Sequence, residues 1–248
     1  MLAGGRFSLK NYEKMTKNML IAVGTITALI ILVAGVRVGL LIRSLSTYKT
    51  YWQKEAVKKP VPGSLIYIAL GDSTAQGIGA SSAGQGYVGL VEKHLEQKTG
   101  KPVHVINISV SGAKISDAIK NQLPRLKNFP RADYVTIEIG ANDVPVYDRN
   151  TFKREFSQLL KLLPDQTVVA NMPSFRGGRM GKLDDNAVDA SKVIAELLAG
   201  YPNMRLADVY RATRQQNIRD FGADLYHPSN SGYQNWAQAF VRAIDTTQ

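Results

Sequence analysis

The stretch SLIYIALGDSTAQGIGA, residues 64–80, opens as a short apolar run and ends in a segment holding one Asp, one Ser and three Gly. A run of this length bounded by glycine reads as a buried β-strand. The turn that leaves it is either an ordinary strand exit or a platform for the Ser73 hydroxyl. Four more Val- and Ile-rich runs follow, at residues 103–109 (VHVINIS), 134–140 (YVTIEIG), 167–172 (TVVANM) and 204–209 (MRLADV). Segments of helical length and period separate them. In residues 151–164, Phe152, Phe156, Leu159, Leu160 and Leu163 share one face and Pro164 stops the helix. Near the C-terminus Tyr233, Trp236, Ala237, Phe240, Val241 and Ile244 form a similar stripe, after Ser229 or Asn230 as cap. Strands alternating with helices predict a parallel five-stranded sheet covered on both faces, because parallel neighbours need crossover connections. One α/β domain over residues 64–248 accounts for the pattern.

The chain of 248 residues has a formal net charge of +11, but the charge is not spread evenly. Residues 1–60 hold ten Lys/Arg against two acids, whereas the rest holds 21 against 18. The excess therefore belongs to the N-terminal tail, which argues against nucleic acid and for a membrane surface. Residues 19–36 carry no charge. As a helix they extend about 27 Å, close to the hydrocarbon thickness of a bilayer. The expected organisation is a basic tail at 1–18, a single transmembrane signal anchor at 19–42, and a juxtamembrane linker at 43–63 ahead of the folded domain. Tyr48, Tyr51 and Trp52 then fall where an interfacial aromatic belt or a juxtamembrane helix would lie. A cleaved signal peptide is the rival, but the apolar run is long for one and no A-x-A site follows it. Basic residues flank both ends of the span. The favoured orientation, cytoplasmic N-terminus and extracytoplasmic domain, rests on the short tail before an early span. There is no Cys, hence no lipoprotein attachment site.

Parallel sheets bind ligands beyond the carboxyl ends of their strands. Those ends carry Gly71-Asp72-Ser73, then Gly112, then Gly140-Ala141-Asn142-Asp143, and late in the chain Asp224 and His227. Each has an ordinary reading as turn, cap or loop residue. Of the three His, His94 falls in a surface helix and His104 within a strand, whereas His227 occupies a polar loop three residues after Asp224. A serine hydroxyl needs a base to take its proton, and the base needs a carboxylate to hold its tautomer. The backbone N–H groups of Ser73 and Gly112 and the Asn142 amide are candidate oxyanion donors.

In that order and spacing, Ser73 in GDS, Gly112, Asn142 in GxND and His227 in DxxHP resemble the four blocks of the SGNH (GDSL-type) hydrolase family. The resemblance covers about residues 64–246. It implies a flavodoxin-like three-layer α/β/α domain with esterase or lipase activity, with no metal and no cofactor. It assigns Ser73 as nucleophile, His227 as base, Asp224 as its orienting acid, and Ser73, Gly112 and Asn142 as the oxyanion hole. Asp72 and Asp143 are expected to hold loops together. Thr74 stands where the family name has Leu, and Ser109 where many members have Gly. No G-x-x-x-x-G-K-[ST] phosphate-binding loop occurs, nor a His/Cys cluster for zinc.

Residues 173–183 (PSFRGGRMGKL) follow the fourth strand run. Arg176, Arg179 and Lys182 among three glycines suggest a mobile cationic rim meeting an anionic or polar substrate. The expected function is a membrane-anchored carboxylic-ester hydrolase, its catalytic domain monomeric, acting on small-molecule, lipid or envelope-glycan esters. Lysophospholipase and thioesterase activity fit the same residues. An acyltransferase using the same triad is the alternative.

Overall fold

The structure, a computed structural model, describes residues 9–246. Most of the expected basic tail at 1–18 is helical; residues 1–8 lie outside the described part. Helix α1 (Leu9–Ala56) is followed by β1 (Leu65–Gly71), α2 (Tyr87–Thr99), β2 (Val103–Asn107), α3 (Ile115–Asp117), β3 (Tyr134–Glu138) and α4 (Arg149–Leu162). The chain then forms β4 (Val168–Ala170), α5 (Asp184–Leu198), β5 (Arg205–Ala207), α6 (Val209–Thr213) and α7 (Asn230–Asp245). All five expected strands are present, trimmed at their ends. The sheet is wholly parallel, in the order β2-β1-β3-β4-β5. This is the doubly wound order of flavodoxin-like folds, whose ligand crevice opens where the winding reverses, beside β1 and β3.

Alternation along each strand distributes the core between two layers. Tyr67 and Ala69 of β1 join Val105, Val168 and Ala170 against α2 and α7, where Tyr87, Leu95, Tyr233, Trp236 and Phe240 are buried. Ile68 and Leu70 face the other way, with Ile106, Ile137 and Val169, against Phe152, Phe156, Leu159 and Leu160 of α4 and Val193 and Ile194 of α5. The Tyr87 and Phe240 rings stack at 4.4 Å and bind α2 to α7. Asp148 caps α4 by accepting from the Thr151 N–H at 2.8 Å. Of the two candidate caps for α7, Ser229 performs the role, accepting from Gly232 N–H.

The chain divides into two compact units, one ending at Gly39 and one beginning at Leu40. In the first, α1 exposes Met19, Leu20, Ile21, Ile30, Ile31, Leu32 and Val36, and it is long and apolar enough to cross a membrane. The linker expected at 43–63 needs correction. It is helical as far as Ala56, and it buries Ser44, Tyr48 and Trp52 against the α/β domain. Among the expected belt residues only Tyr51 is exposed. The reason is spacing: 44, 48 and 52 recur every fourth residue and so form one stripe on a helix.

Candidate active site

Strand β1 ends at Gly71, whose φ is +144° and where a Cβ would lie 2.2 Å from the Glu138 carbonyl oxygen of β3. Only glycine permits that exit. The next two residues bring Asp72 under the site and Ser73 to its face. On the far side of the crevice Asp224 and His227 are joined by a tight turn, with Leu225 at φ +54° and the Gly222 N–H donating to the His227 carbonyl at 2.7 Å. The Asp224 Oδ1 accepts the backbone N–H groups of Tyr226 and His227, both at 3.1 Å. Its Oδ2 lies 2.6 Å from His227 Nδ1, and His227 Nε2 lies 2.9 Å from Ser73 Oγ. The spacing of three between acid and imidazole is thus a turn geometry that points Nδ1 inward and Nε2 at the serine.

Burial alone would raise the Asp224 pKa, but the hydrogen bond and charge of His227 and the two backbone N–H groups outweigh it and bring it to about 2. The carboxylate therefore stays ionised throughout any practical assay range.

Gly112 has φ +78° with open space where a Cβ would be, so the glycine serves backbone conformation rather than clearance. Asn142 is drawn to the same corner: its Nδ2 donates to Asp72 Oδ2 at 2.9 Å and to the Ala113 carbonyl at 3.0 Å. Both amide protons are engaged within the protein. Asp72 thereby links the nucleophile segment to the Asn142 loop, and Asp143 accepts the Ile115 N–H at 3.2 Å, tying that loop to α3. Both acids hold loops, as expected from the sequence.

Burial pushes the Asp143 carboxyl up to about 6, against the Ile115 N–H and the Lys114 charge. Its value in an unfolded chain is about 3.9. Between these two values the native state binds more protons, so this group's contribution to stability falls as pH rises from about 4 to 6 and stays low above. Linkage sets the loss at no more than about 3 kcal/mol, and partial solvation of the carboxyl reduces it further. Asp143→Asn keeps the acceptor for Ile115. It is expected to raise the melting temperature at pH 8 and leave it unchanged at pH 4, as read by thermal denaturation.

Glu138, at the end of β3, was missed in the sequence, although a carboxylate inside an apolar strand run is itself a signal. It is fully buried, as is Asp72. The Thr74 hydroxyl bridges them, reaching both Asp72 Oδ1 and Glu138 Oε2. Burial pushes both carboxyls up, and the charge of the neighbouring Asp72 pushes Glu138 further in the same direction. The departure at position 74 has its cause here, because leucine would leave this buried pair without its hydroxyl. Ser109 likewise bonds through N–H and hydroxyl to Asn107 Oδ1. Gln122, also missed, closes a pair of hydrogen bonds with the Gly71 backbone at 2.9 and 2.8 Å.

The loop at 173–183 makes several contacts with its surroundings. Arg176 Nε is paired with the buried Asp184 at 2.7 Å, which turns this cation toward loop structure. Arg179 differs: its N–H donates to the Leu225 carbonyl at 2.8 Å, and its guanidinium lies 5.7 Å from the centre of the Tyr226 ring. Tyr226 in turn meets the His227 ring edge to face at 4.9 Å. Lys182 is exposed on the short turn Gly181–Leu183.

The profile of the GDSL-like lipase/acylhydrolase family matches residues 69–234. The chain belongs to that family. It is 27% identical over 203 residues to the GDSL-like esterase Rv1075c of Mycobacterium tuberculosis, covering 73% of this chain and 60% of that protein. It is 23% identical over 195 residues to the spore germination lipase LipC of Bacillus licheniformis, covering 69% of this chain and 92% of the lipase. Among solved structures, an acetyl xylan esterase from Geobacillus stearothermophilus shares the fold with TM-score 0.58 and 21% identity, over 73% of this chain and 95% of the other. A lipase/acylhydrolase from Enterococcus faecalis does so with TM-score 0.59 and 24% identity, over 73% and 96%. The family match spans Ser73, Gly112, Asn142, Asp224 and His227. Residues up to 68, including α1, lie outside it.

Proposed function

We propose that this GDSL-family chain is a carboxylic-ester hydrolase working through an acyl-enzyme on Ser73. The observation that carries the reading is the unbroken hydrogen-bond chain from Asp224 through His227 to Ser73. In this mechanism Ser73 Oγ attacks the ester carbonyl while His227 Nε2 takes its proton, and the Asp224 carboxylate stabilises the imidazolium. The oxyanion is held by the Ser73 and Gly112 N–H groups, with Asn142 releasing one of its two protein contacts to become the third donor. His227 then gives its proton to the departing alkoxide. The alcohol leaves, water deprotonated by the same imidazole attacks the acyl-serine, and His227 returns that proton to Ser73 Oγ as the carboxylic acid departs.

A small acyl group is the expectation. A nook of about 20 Å³ is lined by Thr74, Tyr226 and Pro228, which adjoin Ser73 and His227 in the chain, and by Phe175. A wider groove of about 220 Å³ is lined by Lys114, Ser116, Asp143, Tyr147 and Glu155, and its polar walls suit the alcohol side of a glycan or headgroup ester. A p-nitrophenyl ester series from acetate upward tests this, with the highest kcat/KM expected at acetate or butyrate. A rising preference for long chains overturns it, and turnover only with a glycan acceptor identifies an acyltransferase. Arg179, beside Tyr226, is a candidate contact for an anionic substrate. Arg179→Gln is expected to raise KM several-fold for anionic esters with no change for neutral ones, and equal effects on both remove it.

The α1 span is proposed as a single-pass anchor with the hydrolase domain outside the cytoplasm. Protease protection on intact cells tests the orientation, and full protection of the domain reverses it.

A further inference from the structure

Residues 74–80 (TAQGIGA) lie between the nucleophile and α2, and the mechanism above leaves them without a task. They contribute three backbone groups to the buried stripe of α1. Tyr48 Oη donates to the Ala80 carbonyl at 2.8 Å, and Trp52 Nε1 donates to the Gln76 carbonyl at 3.0 Å. Ser44 Oγ accepts the Gly79 N–H at 3.3 Å. Ser44 is 0%, Tyr48 6% and Trp52 2% exposed, so these are interior hydrogen bonds that water does not replace.

The loop held by α1 touches the reacting groups on its other side. The Ile78 N–H donates to the Ser73 carbonyl at 3.0 Å. A Cβ on Gly79 would lie 2.9 Å from His227 Cβ and 2.5 Å from the Pro228 carbonyl oxygen, so the Gly79 backbone is pressed directly against the base. The Gln76 side chain donates to the Ser109 carbonyl at 2.9 Å, and Asn107 donates to the Ala75 carbonyl at 2.7 Å, tying the loop to the strand that leads to Gly112. One seven-residue loop thus abuts nucleophile, base and oxyanion strand. Three α1 side chains grip it by its backbone.

We infer that Ser44, Tyr48 and Trp52 are positioning residues of the hydrolase: the end of α1 is part of the active-site framework, setting the loop that aligns Ser73 with His227. This rests on Ser73 and His227 having the roles proposed above. Small misplacements of reacting atoms cost rate more than binding, so the effect belongs in kcat. A side chain that merely supported the fold would instead reduce the fraction of competent molecules.

The test uses the full chain in detergent, with p-nitrophenyl acetate turnover divided by the sites titrated with a fluorophosphonate. Wild type against Ser73→Ala comes first, since Ser73-independent turnover removes the underlying mechanism rather than this inference. Tyr48→Phe deletes one oxygen and keeps the ring. It is expected to lower kcat per titrated site about tenfold with KM unchanged, and Trp52→Phe to do the same. Tyr51→Phe, which removes a hydroxyl from an exposed position of the same helix, is expected to match wild type. Ser44→Ala provides a further small deletion should Trp52→Phe fail to fold. Wild-type kcat per titrated site in both Tyr48→Phe and Ser44→Ala overturns the inference, whether or not the number of titratable sites falls.

Discussion

Ser73→Ala is expected to lower kcat for p-nitrophenyl acetate by about 10⁴-fold or more, the scale on which serine hydrolases respond to loss of the nucleophile. The substitution removes a single oxygen, so the cavity it opens is smaller than a methyl group. It also leaves the Asp224–His227 pair in place, because that pair is built from its own turn. Circular dichroism and thermal denaturation should therefore be those of wild type, and covalent labelling by a fluorophosphonate should vanish. Retained labelling at Ser73→Ala, or a loss of only a few-fold, would sink the assignment of Ser73. What residual rate survives reports the oxyanion donors and binding alone.

The second large effect is expected at Asp224→Asn. The wild-type carboxylate accepts from His227 Nδ1 at 2.6 Å and so leaves Nε2 without a proton, ready to receive one from Ser73. The substituted amide can still use its oxygen for the two backbone N–H groups of Tyr226 and His227, which keeps the turn. Its nitrogen then faces Nδ1 as a donor, and the imidazole must answer with the other tautomer. Nε2 becomes protonated and cannot act as base. A fall of about 10³- to 10⁴-fold in kcat follows, with KM nearly unchanged. The pH dependence separates this from a general loss of structure. Because Asp224 has its pKa depressed to about 2, its contribution to stability is full above the unfolded value of about 3.9 and disappears only as pH falls through about 2. Wild type and Asp224→Asn should consequently differ in melting temperature at pH 7 and converge near pH 2. An activity loss of less than tenfold at pH 7 would show that His227 keeps its tautomer without the acid.

Ser73, Gly112 and Asn142 were legible because each follows a strand whose apolar run announces itself, and His227 because a carboxylate precedes it by three residues. Glu138 and Gln122 were not, since they bond to Thr74 and to the Gly71 backbone, partners 64 and 51 residues distant that no local pattern names. Arg176 and Arg179 looked alike in a glycine-rich stretch. The buried Asp184 claims the first, and Tyr226 receives the second.

Strand and helix periodicity, the charge-free span of residues 19–36 and the order of the polar strand ends are properties of the chain itself, and they determined the α/β class, the long apolar helix and the candidate triad. Periodicity is local and survives any packing. The tertiary structure decided the rest: that the supposed linker is helical as far as Ala56 and its Ser44, Tyr48 and Trp52 grip the TAQGIGA loop, that Asn142 is held by Asp72 and Ala113, and that Arg176 pairs with Asp184. These are matters of which buried donor finds which acceptor, and a buried polar group pairs with whatever the fold brings within about 3 Å of it.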